Sequence, residues 1–269
     1  MDTFAIDSHA HIFERALHMA HDKRYTPDRD ARLPDYLAQL DHNGFSHGVL
    51  VQPSFLGTDN GYLLAALQAC PDRLCGVVVV DPAMEQAPLA ALAAQGVVGV
   101  RLNLFERPLP DFRQAPWRGF QRHLQQLGLH VEVHCLASHL HAILPSFLHA
   151  GNQVVVDHFG RPEGPLGMDD AGFRFLLAAG ASGQVWVKLS SAYRLGSAGG
   201  LPFAGPQVTA RLVEALGLDR LVWGSDWPHT QFTDRMDFPS ARRLLDTLLP
   251  DPQARRRILG ASAQALFRF

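Results

Sequence analysis

Two histidines near the start of the chain, His9 and His11, are separated by one residue. If this segment is a β-strand, side chains two residues apart point to the same face, so both imidazoles can reach one point. Imidazole nitrogens bind divalent metals and exchange protons near neutral pH. The pair therefore indicates a metal site or a site that activates water. The alternative is a pair of structural histidines that bond to backbone carbonyls.

More residues of this chemistry stand at the ends of other apolar segments. His134 follows LHVEV, Asp157 and His158 follow QVVV, and Asp226 lies in WGSDWPH. Histidines that converge with an aspartate are what metal-assisted or carboxylate-assisted hydrolysis requires. Taken alone, Asp226 can instead cap the turn that follows it. We interpret three further histidines as structural or loop residues: His139, His141 and His229.

Four arginines form a second group, because Arg101, Arg107, Arg161 and Arg194 each follow or end an apolar segment. A guanidinium is a planar fork that binds a carboxylate through two hydrogen bonds, so several around one cavity predict an anionic substrate. Salt bridges within the protein are the alternative. Arg101 is the most informative, because an unpaired charge inside a strand is costly. For Lys188, also inside a strand, we favour a tethering ion pair over a Schiff-base role.

The segments that must position these residues are short, apolar and rich in β-branched residues, as parallel strands covered on both faces are. Helical patterns separate them along the whole chain, without a repeat or a change in composition. The predicted strands are 4–9, 45–51, 74–80, 97–102, 129–134, 153–157, 185–189 and 220–225. The predicted helices are 34–43, 59–70, 86–95, 114–127, 138–149, 169–180, 206–216, 239–248 and 252–267.

Eight β-α units in one chain predict a closed but distorted (β/α)₈ TIM barrel, with residues 1–269 as a single domain. In such a barrel the chemistry lies at the rim formed by the carboxyl ends of the strands. The candidate histidines, Asp226 and the four arginines are all predicted to lie at that rim. Long loops are predicted there at 12–33, 103–113, 158–168 and 190–205.

Composition excludes several classes of protein. The chain has 269 residues, 47% of them hydrophobic, and a net charge of −2, which argues against a nucleic-acid or membrane partner. No apolar stretch is long enough to span a membrane, and no basic leader precedes the first strand, so we expect a cytoplasmic protein. Its three cysteines do not form a metal-type motif and are expected to be reduced. Motifs for a serine-hydrolase elbow, a Walker loop and a dinucleotide fold are absent.

Five segments in order, DSHAHIF, GVRLN, VVDHFGRP, KLSSAYR and WGSDWPH, resemble the amidohydrolase superfamily. The match is to its lactonase branch, which contains the 2-pyrone-4,6-dicarboxylate lactonases. The resemblance covers essentially the whole chain and implies hydrolysis of a carboxylated lactone. The same branch contains sugar-lactone hydrolases and a sulfolactone hydrolase. Another branch of the superfamily uses the same strand ends for metal-dependent decarboxylation of unsaturated or aromatic acids.

The resemblance also implies roles for individual residues. His9, His11 and His158 would surround the lactone carbonyl, and Asp226 would take a proton from water. Six residues would bind the anionic substrate: Arg101, Arg107, Arg161, Arg194, Ser54 and Tyr25.

His134 departs from the pattern of the pyrone-dicarboxylate lactonases, which lack a histidine at this strand end. If a metal such as Zn²⁺ or Mn²⁺ binds, the expected ligands are His9, His11, His134 and Asp226. We favour turnover without a cofactor, because the arginines already hold the anion. A barrel that only binds a dicarboxylate is the remaining alternative. The oligomeric state, monomer or dimer, stays open.

Overall fold

A computed structural model describes residues 4–163, 167–195 and 204–269. Eight parallel strands form one sheet in the order β1 to β8, and helices alternate with them, as a (β/α)₈ barrel requires. The strands are β1 (Ile6–Ala10), β2 (His47–Val51), β3 (Leu74–Val78), β4 (Val97–Asn103), β5 (His130–His134), β6 (Val154–Val156), β7 (Val185–Ser190) and β8 (Leu221–Gly224).

Ten α-helices are present among the described residues. Several begin with the expected signals: Asp170, Asp237 and Asp251 each accept hydrogen bonds from backbone amides of the first turn. The helices are α1 (Leu33–His42), α2 (Gly61–Ala69), α3 (Gln86–Ala93), α4 (Trp117–Leu127), α5 (Leu140–His149), α6 (Ala171–Ala179), α7 (Gly205–Leu216), α8 (Phe238–Leu248), α9 (Pro252–Leu259) and α10 (Ala261–Phe267).

The strands bury both faces, and the two faces differ in chemistry. Residues such as Val131, Val156 and Val187 belong to the large apolar cluster that includes the surrounding helices. Inside the barrel a smaller apolar cluster includes Val155 and Phe267, so α10 packs at the amino-terminal end of the strands. The period of two along each strand therefore places the polar inward residues above this cluster, toward the carboxyl-terminal rim.

The barrel is nearly closed and has one seam, between β1 and β8. A single bridge joins Ala10 to Trp227, and the amide of Asp226 donates to the carbonyl of His9 at 2.8 Å. A Cβ at Gly224 would lie 2.4 Å from His9 Cβ, so only glycine allows this approach. The seam thus brings the first and last strands, with their candidate residues, into contact.

The predicted architecture is confirmed, and the differences lie at element boundaries. The single predicted helix 252–267 is wrong, because Gly260 leaves the helical conformation (φ −111°, ψ −97°) and separates α9 from α10. Strand β4 continues to Asn103, and α4 begins at Trp117, three residues after the predicted start. Parts of the predicted loops 158–168 and 190–205 lie outside the described residues.

All three cysteines are free thiols, as expected: Cys75 and Cys135 are buried and Cys70 is partly buried. Among the residues that the structure describes, none belongs to a helix with the length and apolar character of a membrane span.

Candidate active site

The carboxyl-terminal rim of the barrel holds a cavity of about 290 Å³. It is lined by charged and polar side chains from the strand ends and the loops that follow them. The ionisable groups most relevant to chemistry are His11, His134, His158, Asp226, Arg24, Arg101, Arg161 and Arg194. The predicted residues Ser54 and Tyr25 also line it, and Tyr25 bonds to Thr230 at 3.0 Å.

His11 lines the floor of the cavity and His9 is buried beneath it, with the Nε2 atoms of the two histidines 3.3 Å apart. His11 Nδ1 lies 2.7 Å from the carbonyl oxygen of Val51 and must donate to it, so a neutral His11 has its lone pair on Nε2. Lys188 Nζ is 3.2 Å from His9 Nδ1, and its donation there leaves the His9 proton on Nε2. A consistent neutral pair therefore has His9 Nε2–H donating to His11 Nε2.

Asp226 is buried beside this pair, and its two carboxylate oxygens differ. Oδ2 accepts hydrogen bonds from Ser191 Oγ and from Tyr193 OH, the latter at 2.7 Å. Oδ1 faces His11 Nε2 and His9 Nε2 at 3.6 and 3.7 Å. Although burial raises the pKa of Asp226, its contact with His11 and the nearby positive charge of Arg194 hold that pKa well below its usual value. Asp226 is therefore an ionised carboxylate with Oδ1 directed toward the histidines.

A layer of buried charge lies below the histidines inside the barrel. Glu132 accepts a hydrogen bond from Lys188 at 2.5 Å, and Asp157 accepts two from Arg101, at 2.9 and 2.8 Å. Asp157 also lies 3.4 Å from His9 Nδ1. The two carboxylates and the two basic side chains of this layer thus balance in charge. The predicted ion pair of Lys188 is confirmed. These contacts fix the orientation of His9.

His158 and His134 form the wall opposite the seam. His158 Nδ1 contacts Ser190 Oγ at 2.8 Å, and burial lowers the pKa of His158 to about 3, so this imidazole is neutral. His134 Nε2 lies 3.2 Å from Arg161 Nη1 and accepts from it, since a guanidinium only donates. Because Arg161 occupies that lone pair, His134 differs in its contacts from the other histidines of the site.

Four side chains are the expected ligands if a metal binds, and the structure brings three of them together. Ligand atoms of His9, His11 and Asp226 lie within 4.8 Å of one another, a donor set that suits a zinc-like ion. His134 is engaged by Arg161 instead. A second group with the same spacing consists of His9, Asp157 and His158. Nearby cations oppose a further positive charge, because Lys188 is 3.2 Å from His9.

The predicted arginines have different surroundings. Arg101 and Arg161 line the cavity, but each also bonds to a carboxylate, Asp157 and Glu163 respectively. Arg194 donates to the carbonyl of Thr230 at 3.1 Å. Arg107 is not among the described residues that line the cavity. Instead, it bonds to Asp22 at 2.6 Å, where it holds the loop after β1 to the loop after β4.

Sequence reasoning missed Arg24, Phe105 and Glu106, all of which line the cavity. They lie in long loops whose sequence has no periodic pattern, so their position at the cavity could not be predicted. It also missed the role of Glu132, although a charge inside the apolar segment LHVEVH is the same signal that identified Arg101.

The histidines interpreted as structural lie outside the cavity wall formed by the described residues. His141 is exposed on α5, and His229 is buried in the loop after β8, where it packs against Tyr193. A larger groove of 1390 Å³ crosses the outer surface at α4 and α5. The described residues that line this groove do not include Asp226, His11, His134 or His158. The smaller rim cavity, which all four line, is therefore the candidate active site.

Burial of neutral histidines makes the stability of the fold depend on pH. Burial lowers the pKa of His9 and His134 well below 6.5 and that of His158 to about 3. At a pH between 6.5 and these lower values, the three histidines bind more protons in the unfolded chain than in the folded protein. Their contribution to the free energy of unfolding should therefore fall as the pH falls below 6.5. For His158 alone, the loss from pH 7 to pH 5 is about 2 kcal/mol.

Urea unfolding at the two pH values measures this effect. His158→Gln should reduce the difference, whereas substitution of the exposed His141 with glutamine should leave it unchanged. A difference between pH 7 and pH 5 that is the same in His158→Gln as in the natural protein would contradict a neutral, buried His158.

Comparison with known proteins agrees with this geometry. A 4-sulfomuconolactone hydrolase of Rhizobium radiobacter is 30% identical, covering 98% of this chain and 89% of the relative. A 2-pyrone-4,6-dicarboxylate hydrolase of Comamonas testosteroni is 32% identical, covering 86% of this chain and 79% of the relative.

A solved structure from Acinetobacter baumannii, described as a probable 2-pyrone-4,6-dicarboxylic acid hydrolase with citric acid bound, is 37% identical. It superposes with a TM-score of 0.93 over all of both chains. Residues 6–269 match the family model described as amidohydrolase. With the barrel, the rim histidines and the strand-8 aspartate in place, this chain belongs to the amidohydrolase family.

Proposed function

We propose that this protein is a hydrolase that opens a lactone ring carrying at least two carboxylates, such as 2-pyrone-4,6-dicarboxylate. The observation that carries the proposal is the position of Asp226 and His11, with His9 buried beneath them, on the floor of a cavity whose wall holds four described arginines. A carboxylate base beside imidazoles suits attack of water on an ester carbonyl. The arginines of the cavity wall can bind the carboxylates of an anionic substrate.

The relatives support the same substrate class. One is named as a 2-pyrone-4,6-dicarboxylate hydrolase, and the structure from Acinetobacter baumannii contains citric acid, a tricarboxylic acid. The cavity of about 290 Å³ has room for a single small ring with its carboxylates.

Asp226 acts as the general base through Oδ1. Its other oxygen is held by Ser191 and Tyr193, which fixes the carboxylate plane. A water molecule between Oδ1 and the lactone carbonyl gives its proton to Asp226 as the C–O bond forms. The ester bond then breaks, Asp226 returns this proton to the leaving ring oxygen, and the second proton of the water is released from the new carboxylic acid. The product is an open-chain acid with one new carboxylate.

His158 stabilises the negative charge that develops on the carbonyl oxygen. If Ser190 donates to Nδ1, the single proton of this neutral imidazole is on Nε2, where it can donate into the cavity. His11, which donates to Val51 through Nδ1 and accepts from His9 at Nε2, lies beside Oδ1 of Asp226 and forms part of the wall around the attacking water. The arginines hold the remote carboxylates and so position the ring over Asp226.

Turnover does not require a metal in this proposal. His9, His11 and Asp226 can hold a divalent ion, which would polarise the carbonyl and acidify a bound water. Two contacts support the metal-independent alternative: His9 is bonded to His11, and Arg161 takes the lone pair of His134. Activity that survives exhaustive chelation is expected. Loss of activity that one equivalent of Zn²⁺ or Mn²⁺ restores would overturn this part of the proposal.

Three unpaired cysteines fit a reducing compartment, and we place the enzyme in the cytoplasm on that basis.

A substrate panel tests the proposal. We expect kcat/KM for a dicarboxylated pyrone to exceed that for neutral sugar lactones by at least about 100-fold, because a neutral ring offers no carboxylate to the arginines of the cavity. Release of CO₂ from aromatic acids without lactone hydrolysis would favour a decarboxylase instead. Equal rates on neutral and carboxylated lactones would remove the role given to the arginines.

A further inference from the structure

Arginines on the cavity wall differ in how far their charge is already neutralised. Among the described residues, three of them have a carboxylate partner that is buried or largely buried. The pairs are Arg101 with Asp157 at 2.8 Å, Arg161 with Glu163 at 2.6 Å and Arg194 with Asp226 at 3.6 Å.

Arg24 is the exception. Its nearest carboxylate is that of Glu106, at 3.7 Å, and 65% of the Glu106 side chain is exposed. Within the described part of the chain, no hydrogen bond from the Arg24 guanidinium is present. An exposed ion pair of this length contributes little, so it breaks at small cost.

The guanidinium of Arg24 nevertheless lies against an aromatic ring and is partly buried. Its guanidinium carbon lies 4.8 Å from the centre of the Phe105 ring, and that of Arg161 lies 3.8 Å from the same ring. Only 29% of the Arg24 side chain is exposed. Burial lowers the pKa of Arg24, and the positive charges of Arg161 and Arg101 lower it further. An anion placed at this guanidinium would therefore relieve repulsion as well as form hydrogen bonds.

We propose that Arg24 is a substrate-binding residue that receives one carboxylate of the lactone at the cavity mouth, where that carboxylate replaces Glu106. This inference rests on the proposed function and deepens it. The planar fork of Arg24 has the donors for a bidentate pair, and Phe105 holds the guanidinium from one side. The interaction is made with a part of the substrate that does not react, so it contributes to binding and positioning.

Binding of isophthalate, a planar dicarboxylate that cannot be hydrolysed, tests the assignment directly. Measured by calorimetry, Arg24→Met should weaken the binding of isophthalate at least about 10-fold. Arg24→Lys should weaken it less, because lysine keeps the positive charge although it cannot form the two parallel hydrogen bonds of a guanidinium. Glu106→Gln should bind as tightly as the natural protein or more tightly. The matched control is the exposed Arg211 on α7, whose substitution with methionine should change nothing.

Kinetics provide the second readout. With a dicarboxylated lactone, Arg24→Met should raise KM at least about 10-fold and change kcat less than about 3-fold. An isophthalate affinity and a KM within twofold of the natural protein would overturn the role of Arg24. If the natural protein hydrolyses no lactone, the proposed function fails, and the calorimetry still decides whether Arg24 binds a carboxylate.

Discussion

Replacing Asp226 with asparagine should lower kcat/KM for lactone hydrolysis by about 10²- to 10⁴-fold, the range expected when a general base is removed. Asparagine keeps the shape of the side chain and tolerates the left-handed backbone of this residue (φ 61°). It can also accept the hydrogen bonds from Ser191 and Tyr193. The loss should therefore come from proton transfer and leave the fold intact, which thermal unfolding can verify.

The matched control is Asp219→Asn, because Asp219 is exposed and paired with Arg257 away from the rim. This variant should keep full activity. A variant at Asp226 that retained more than about one tenth of the rate would contradict its role as base.

The pH profile follows from the low pKa of Asp226. Burial raises that pKa, but His11 and the positive charge of Arg194 lower it well below 3.8, so the carboxylate is ionised throughout the neutral range. We expect no acid limb of kcat/KM from Asp226 above about pH 5. An acid limb near pH 6 that disappears in Asp226→Asn would contradict this electrostatic picture.

Loss of Lys188 should have the largest effect on stability. In Lys188→Met the fully buried Glu132 loses its 2.5 Å partner, and removing one member of a buried pair costs about 3–5 kcal/mol. His9 also loses the donor at Nδ1, which sets its tautomer, so the rate should fall as well. Urea unfolding and kcat measure the two effects.

The chain has one other lysine, the exposed Lys23, and Lys23→Met is the matched control. We expect it to change stability by less than about 0.5 kcal/mol. The double variant Lys188→Met/Glu132→Gln, which removes both charges, should recover at least half of the lost stability. A single variant as stable as the natural protein would show that the buried charges are not coupled as the contacts indicate.

Periodicity predicted the barrel because each strand is apolar on its outer face and the chain alternates strand and helix from end to end. The same period of two predicted that His9 and His11 meet, and their Nε2 atoms are 3.3 Å apart. Position at strand ends was sufficient for Asp226 and His158, since the barrel fixes where those ends converge.

Loop residues could not be predicted in this way. Arg24 reaches the cavity from the long segment after β1, and Arg107 is bonded to Asp22 in that same segment, although sequence alone made Arg107 the better candidate. Sequence reasoning also did not predict which arginines are paired. The partner of Arg101 is Asp157, which follows β6 and is far away in sequence, whereas the partner of Arg161 is Glu163, two residues later in the same loop. The role of Arg107 in substrate binding stays a prediction.

The most direct test of the central claim is the product formed from 2-pyrone-4,6-dicarboxylate in H₂¹⁸O, measured by mass spectrometry. The account predicts that the purified protein converts the lactone to an open-chain product heavier by one H₂¹⁸O, with the label in the newly formed carboxylate. An unconsumed lactone, or a product that has lost CO₂ and gained no label, would contradict it.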